Sequence, residues 1–515
     1  MAAPNEKLAA SLTVLRELQK DGRRVFQNKE LSRVHRERLV KNGFLQEVTR
    51  GWLISSSPGA REGDSTPWYA SFWEYCARYC GVRFGTKWYL SPEQSLFLHA
   101  EKTVIPAQVI ICSPKGTNNN FKLLFGTSLY DLKQAQMPPV NDLAERDGLR
   151  LFSPAAALVR VPETFFANHP IEVQVVLASF RDASDLLRRL LAGGHSKVAG
   201  RLAGAFRRIG RADAADEIIA TMTAAGYDVR ETDPFTDRQA LAPVPAKTAP
   251  IVGRIKAMWG TMRGEVLDIM PPAPGLPKNR EAYLKSVDAI YRTDAYHSLS
   301  IEGYTVSEAL IERVRVGNWD PNKHDADRQS RDALAARGYW LAFQVVKKNI
   351  EAIIAGKNPG GLIRTTHREW YRDLFQPCVT AGLISPADLA GYRNDAVYLR
   401  TSRYVPPRWE AVRDAMPELF DLLEHEPEAS VRAVLGHWLF GYVHPYPDGN
   451  GRMARFLMNA ALASGGYPWT VVLMKDRADY LKALDRASID MDIGPFAKLI
   501  AKRVRGSMKK ADRPT

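Results

Sequence analysis

Between Val443 and Arg455 the chain sets out one imidazole, one carboxylate, one carboxamide, two glycines and two guanidiniums: His444, Asp448, Asn450, Gly449, Gly451, Arg452 and Arg455. This is equipment for handling a phosphate chain. Arg452 and Arg455 lie three residues apart, so on a helix both guanidiniums project from one face and can meet neighbouring phosphates. Gly449 and Gly451 let the backbone turn and approach a ligand closely. Asp448 is a hard oxygen donor before the anion cradle, and Mg²⁺ is commonly held by one or two carboxylates together with substrate phosphates. A neutral imidazole at His444 can accept a proton near neutral pH.

Two helices must position these groups. Val431, Val434, Leu435, Trp438, Leu439 and Tyr442 recur at helical spacing. Pro445 should stop that helix at His444, because the residue before a proline avoids the α region. A second helix is expected from Arg452 to Leu462, with Phe456, Leu457, Ala460 and Ala461 inward. Gly449-Asn450-Gly451 then sits at a helix N-terminus, where free N–H groups and the helix dipole favour an anion.

The stretch His444-Pro445-Tyr446-Pro447-Asp448-Gly449-Asn450-Gly451-Arg452-Met453-Ala454-Arg455 resembles the Fic family signature, with Tyr446 in place of phenylalanine. The resemblance implies an all-α core and transfer of AMP from ATP to a hydroxyl on a target protein. It implies that His444 deprotonates that hydroxyl and that Asp448 holds Mg²⁺ between the α- and β-phosphates. Gly449, Asn450 and Gly451 would form the anion hole, with Asn450 on the α-phosphate. Arg452 would neutralise the β-phosphate and Arg455 the γ-phosphate. It also places Tyr480, on a later helix, near the adenine.

Upstream, Tyr283, Leu284, Val287, Ile290 and Tyr291 mark a helix over Glu281–Glu302 that ends Ser298-Leu299-Ser300-Ile301-Glu302-Gly303. This resembles the family's inhibitory motif, defined by Ser298, Glu302 and Gly303. The resemblance implies that Glu302 pairs with Arg455 and makes bound ATP unproductive; without it, Glu302 would be an exposed residue at a helix end. Residues 391–407 suggest a short hairpin in the place of the family's flap, with Val397, Tyr398, Leu399 and Thr401 receiving the target segment as an added strand.

The chain has 515 residues, 45% of them hydrophobic and 25% charged, with a net charge of +14. That length accommodates two to four domains, and the charge favours contact with a polyanion. No uncharged apolar run reaches the roughly 18 residues of a membrane span, so no membrane partner is expected. Four cysteines are too few for a disulfide scaffold, and Cys76 and Cys80 read as buried structural residues among aromatics. No apolar leader follows Met1, and a reducing cytoplasm is the expected compartment.

At the N-terminus, Leu8, Leu12, Leu15 and Leu18 mark a helix, Val25-Phe26 a short strand, and Asn28 a cap for a helix over Lys29–Asn42. Leu31, Val34, Leu39 and Val40 are expected to face inward. Two strands, residues 44–48 and 51–54, close what reads as a winged helix–turn–helix. Asn5 to Arg50 holds eleven Lys or Arg against six Asp or Glu. Arg33, Arg36, Lys41 and Arg50, the last at the wing tip, are the candidate DNA contacts; a winged helix used only for protein contact is the competing reading. With the winged helix in front, the Gly51-Trp52-Leu53 hairpin and the run from Ser91 to His99, the stretch over roughly residues 7–230 is similar to the AbiEi antitoxin family, which implies a DNA-binding antitoxin or autorepressor module.

The resulting expectation is an α+β chain. Residues 1–60 form a winged helix–turn–helix, 61–230 a mixed α/β region, 231–277 a Pro-rich linker, 278–505 the Fic domain with its inhibitory helix and β-hairpin flap, and 506–515 a basic tail. The expected function is Mg²⁺- and ATP-dependent AMP transfer to Ser, Thr or Tyr of a target or of the chain itself, restrained by Glu302, with DNA binding by the N-terminal half and room for a homodimer. The same pocket could instead remove AMP or use another nucleotide donor, or the chain could be a DNA-binding repressor whose pocket only senses ATP.

Overall fold

The computed structural model describes residues 4–59, 63–235, 249–317 and 331–511. They divide into two units. One takes the described residues up to Phe235 together with Tyr398–Val405; the other takes those from Ile251 to Val397 and from Pro406 onward. The class is α+β, mostly helical with small sheets.

The first unit begins with α1 (Pro4–Leu18), β1 (Val25–Gln27), α2 (Arg33–Lys41), β2 (Leu45–Thr49) and β3 (Trp52–Ser55). The strands form an antiparallel sheet in the order β1-β3-β2. Leu15, Phe26, Leu31, Leu39, Leu45 and Leu53 make a small core between helices and sheet. Two details of this region differ from the sequence reading. Helix α2 starts after Ser32, whose hydroxyl accepts the His35 N–H, and not after Asn28. The intervening Asn28–Glu30 is a short 3₁₀ turn closed by a capping box between Gln27 and Glu30, so a helix could not begin there. With that start, Val34 and Val40 face outward, 59% and 40% exposed.

The unit continues with α3 (Thr66–Phe84), whose Trp68, Phe72, Tyr75, Cys76 and Cys80 enter a large aromatic core. Beside it lie β4 (Tyr89–Leu90), α4 (Pro92–His99), β5 (Gln108–Ser113), β6 (Asn119–Lys122) and β7 (Ser128–Lys133). They form a four-stranded sheet, order β4-β5-β7-β6. Strand β6 is followed by a 3₁₀ turn over Leu124–Gly126. A hairpin, β8 (Leu143–Arg146) and β9 (Leu149–Phe152), leads into six helices, α5 (Pro154–Arg160) to α10 (Ala212–Ala224). Tyr398–Val405 completes the unit. The Ile105 N–H donates to Arg403 O at 2.8 Å, Arg400 pairs with Asp64 at 3.5 Å, and Val405 packs on the aromatic core.

The second unit is all helix among its described residues: α11 (Pro250–Ile269), α12 (Arg280–Ile301), α13 (Glu308–Arg315), α14 (Arg331–Ile354), α15 (Pro359–Thr380), α16 (Trp409–His425), α17 (Ala429–Val443), α18 (Asn450–Ala463), α19 (Arg477–Asp490) and α20 (Gly494–Ala511). Helices α17 and α18 form its centre and are buried almost all round, which is why their apolar pattern exceeds a single stripe.

Three boundaries change. Helix α11 occupies much of the stretch expected to be linker, because Pro250 opens a helix at its first turn; residues 236–248 of that linker lie outside the described residues. Helix α20 runs to Ala511, taking in most of the expected tail, and 512–515 lie outside the description. The expected β-hairpin flap is absent: residues 391–407 hold no strand. Their backbone is engaged elsewhere, by Arg393 in the second unit and by the core and edges of the first unit from Tyr398 to Val405. No described helix is long and apolar enough to cross a membrane.

Candidate active site

Helix α17 ends where Pro445 requires it to. His444 is its C-cap in the left-handed region, φ 50° and ψ 59°, an uncommon conformation for a residue with a side chain. That turn is held by a residue the motif did not point to. Arg393, buried, donates from Nε to His444 O at 2.8 Å, from Nη1 to Asp395 O at 2.9 Å and from Nη2 to Val443 O at 3.4 Å and to Pro407 O. Its own N–H donates to Pro445 O. One guanidinium thereby satisfies the last carbonyls of α17, which have no partner within the helix. The sequence signal was a lone arginine fifty residues away, and nothing in its spacing marks it.

The imidazole of His444 is half-buried, and Nδ1 lies 3.3 Å from Gly441 O. A carbonyl only accepts, so Nδ1 carries the proton and Nε2 keeps a lone pair. Burial disfavours the imidazolium and pulls the His444 pKa down to about 4. At neutral pH the group is a free base.

From Tyr446 to Asn450 the loop closes on itself. The Asn450 amide accepts the Tyr446 N–H at 3.0 Å and donates to Tyr446 O at 2.7 Å. It was expected to meet an α-phosphate; in this structure its side chain holds the loop. Gly449 caps α18, and its neighbour Asp448 is 63% exposed on the side chain, 3.6 Å from Arg452. A Cβ at Gly451 would lie 2.2 Å from a Glu302 carboxylate oxygen, so a larger residue there would have to displace that carboxylate. The carboxylate therefore occupies the mouth of the helix N-terminus, where an anion is favoured.

The two arginines are buried, Arg452 to 1% and Arg455 to 3% exposure. Arg455 is tied to the end of α12. Its Nε donates to Ser298 Oγ at 2.8 Å, and Nη2 donates to Ser298 O at 3.0 Å and Glu302 Oε1 at 2.7 Å. Thus Ser298 and Glu302, four apart and on one face of α12, both hold the same guanidinium. Below them Asp294 accepts the Tyr339 hydroxyl at 2.6 Å, and burial raises its pKa to about 6. Arg452 is held more loosely: its Nε and Nη2 are buried without a hydrogen-bond acceptor among the described residues, Nη2 lying 3.6 Å from Asp448 Oδ2, and Nη1 of Arg455 likewise lacks an acceptor. Orphaned buried guanidinium donors are costly, and an incoming phosphate would satisfy them.

Tyr480, on α19, is buried with its hydroxyl 2.8 Å from His437 Nε2. Val397, Tyr398, Leu399 and Thr401 are not brought together with this pocket as a flap strand; the last three belong to the first unit. Of the candidate DNA contacts, Arg33 is paired with Glu37 at 2.7 Å, Arg36 is half-exposed, and Lys41 and Arg50 are exposed. Arg38 is turned back onto α1, donating to Lys7 O and Ser11 Oγ. The described residues contain no cluster of three or more His, Cys, Asp or Glu able to hold a metal on protein groups alone. Asp448 fits the other arrangement, one open carboxylate beside a phosphate cradle.

Residues 361–462 match the Fic/DOC family. Over 243 residues the chain is 30% identical to a protein adenylyltransferase Fic from Nematostella vectensis, covering 45% of this chain and 50% of that one. It is 26% identical over 273 residues to protein adenylyltransferase fic-1 from Caenorhabditis elegans, covering 52% and 49%. The chain therefore spans about half the length of these curated relatives. Among solved structures, a fragment of Fic-1 from C. elegans aligns over 64% of this chain and 91% of its own, at 18% identity and a TM-score of 0.36. A Fic-domain signalling protein from Bacteroides thetaiotaomicron aligns over 49% and 95%, at 19% identity and a TM-score of 0.37.

Proposed function

Given that residues 361–462 are a Fic domain, we propose that the second unit is a protein adenylyltransferase held in check by Glu302. The observation that carries the reading is the 2.7 Å pair between Glu302 and Arg455 beside an Arg452 whose Nε and Nη2 make no hydrogen bond among the described residues. ATP would lay its phosphates along the α18 N-terminus, with Arg452 on the β-phosphate and Arg455 on the γ-phosphate. A hydroxyl of a target protein, or of this chain, would attack the α-phosphorus. Its oxygen forms the new P–O bond, its proton passes to His444 Nε2, and the α–β bridging bond breaks to release pyrophosphate. Most of the acceleration would come from positioning and from cations placed where charge develops. Mg²⁺ held by Asp448 would supply charge neutralisation at the phosphates.

While Glu302 occupies Arg455, the γ-phosphate lacks its anchor and ATP settles in an unproductive pose. The pair is partly open, with 29% of the Glu302 side chain exposed, so its release lies within reach of binding energy. We further infer that α2 and the β2–β3 wing bind DNA through Arg36, Lys41 and Arg50. The net excess of cations there and their exposure support this.

The test is transfer of label from ATP carrying ³²P at the α-position. Protein labelling should be weak in the natural chain, strong in Glu302→Gly, and lost again when His444→Ala is added. If Glu302→Gly labels neither itself nor any protein in a lysate, the transferase reading is wrong. For the first unit, DNA affinity should fall steeply with salt, and Arg36→Gln with Lys41→Gln should lower the log–log slope by about 2.

A further inference from the structure

The turn that carries Glu302 also delivers a second side chain to the phosphate site. Gly303, at φ +88°, reverses the chain at the end of α12. The turn is fixed by Gly303 N–H to Ser300 O at 3.0 Å and Tyr304 N–H to Leu299 O at 3.1 Å. Tyr304 then lies with its ring under Arg452, the guanidinium carbon 5.3 Å from the ring centroid. Phe375 of α15 offers a second ring to the same guanidinium at 4.9 Å. Arg331, at the start of α14, stands 5.1 Å from the Tyr304 ring.

A guanidinium has two kinds of surface. Its flat faces stack on aromatic rings, and its edge carries the N–H donors. At Arg452 two rings lie within 5.3 Å of the guanidinium carbon, while Nε and Nη2 are buried without a hydrogen-bond acceptor among the described residues, Nη2 lying 3.6 Å from Asp448 Oδ2. Rings placed against a guanidinium take no hydrogen bond from its edge and limit how far it can tilt. A carboxylate in the same place would have taken a donor, as Glu302 takes Nη2 of Arg455, whose Nη1 is left without a hydrogen-bond partner. The same three-residue turn thus treats the two arginines oppositely.

We propose that Tyr304 is a positioning residue for the β-phosphate: its ring orients the Arg452 guanidinium so that its edge meets the incoming phosphate chain. This rests on the reading of the pocket as a nucleotide-triphosphate site and extends it to a residue outside the signature. The end of α12 then has two functions, a carboxylate that withholds one arginine and a ring that aims the other.

Calorimetric titration of the full-length chain with Mg²⁺ and AMP, ADP or ATP tests this, in the Glu302→Gly background so that Arg455 is free. Tyr304→Ala should weaken ADP and ATP about ten-fold, from loss of a desolvated cation–π contact. AMP, which has no β-phosphate, should change less than about two-fold, and Tyr304→Phe should restore ADP and ATP. If Tyr304→Ala tightens ADP and ATP, the ring is a plug and the proposal is overturned. An equal loss for AMP, or a Phe variant that fails to restore binding, overturns it too, the first as a general packing defect and the second as a role for the hydroxyl. If no nucleotide binds to the Glu302→Gly parent, the reading of the site itself has failed and the proposal falls with it; binding to the parent without label transfer leaves the role of Tyr304 to be decided by the titrations alone.

Discussion

Replacing Arg393 with methionine removes every donor that this side chain brings to the α17 terminus while keeping an unbranched apolar stem. Four backbone carbonyls, of Val443, His444, Asp395 and Pro407, lose their charged partner. The guanidinium is 3% exposed, so water does not readily replace it. A hydrogen bond to a charged group contributes about 1.5–3 kcal/mol, and a buried acceptor left alone costs about 1–3 kcal/mol. These terms overlap, since they describe the same contacts, and breaking a buried charged network as a whole costs about 3–5 kcal/mol. About 4 kcal/mol is therefore expected in the urea unfolding transition of the second unit, followed by its own tryptophans, Trp409 and Trp438 among them.

Activity should suffer separately. The left-handed backbone at His444 carries roughly 1–2 kcal/mol of strain and is held against relaxation by the Arg393 contacts to residues 443–445. Once released, the imidazole no longer points where the motif needs it. In the Glu302→Gly background, label transfer should fall by about a hundred-fold, the scale of a misplaced catalytic group. Arg393→Lys, with one compact ammonium in place of a fork, should recover only part of the stability. The reasoning is refuted if the methionine variant unfolds within about 1 kcal/mol of its parent and transfers label at an undiminished rate.

Tyr446 tests the one departure from the signature. Its ring stacks on Tyr371 at 3.8 Å and 10°, but its hydroxyl is buried without a partner, so Tyr446→Phe should leave stability unchanged or raise it by up to about 1 kcal/mol, read from the same unfolding transition. The His444 pKa near 4 predicts a rate for Glu302→Gly with no inflection from this group between pH 5.5 and 8; a fall with its midpoint near 6.5 would show an imidazole that titrates as if exposed. Stability should move the other way from a salt-bridged histidine. His367 and His444, both lowered by burial to about 4, stay neutral in the folded chain while the unfolded chain takes up protons near 6.5. Stability is full above that value and declines as pH falls from 6.5 toward 4, measurable as a drop in thermal midpoint.

The signature was legible because its meaning is local. Proline, glycine and the three-residue spacing of the arginines dictate a helix end, a turn and a helix start within thirteen residues, and the structure has all three. The pairing of Ser298 and Glu302 with Arg455 could be anticipated only through resemblance, since about 150 residues separate the partners. Arg393 and Tyr304 escaped for the same reason without a resemblance to mark them. Where local signals competed, the nearer hydrogen bond decided. Asn28 and Ser32 are both good caps, but the Gln27–Glu30 box claims residues 28–30 and leaves the helix to Ser32. The hairpin expected near 391–407 rested on local pattern and on the place of the family's flap, and strand propensity yields to tertiary context. Arg393 holds the Asp395 and Pro407 carbonyls, while Ile105 and the aromatic core of the first unit hold Arg403 and Val405.

The placement of Tyr398–Val405 has a consequence for how this protein could be cut. The chain leaves its second unit for eight residues, gives Ile105 a backbone partner and Val405 a seat in an aromatic cluster, and then resumes its own helices. The two units are thus not consecutive beads joined at one string. Severing the chain in the proline-rich stretch before Pro250 would yield two incomplete bodies, one missing a strap from its core and the other carrying an unattached loop.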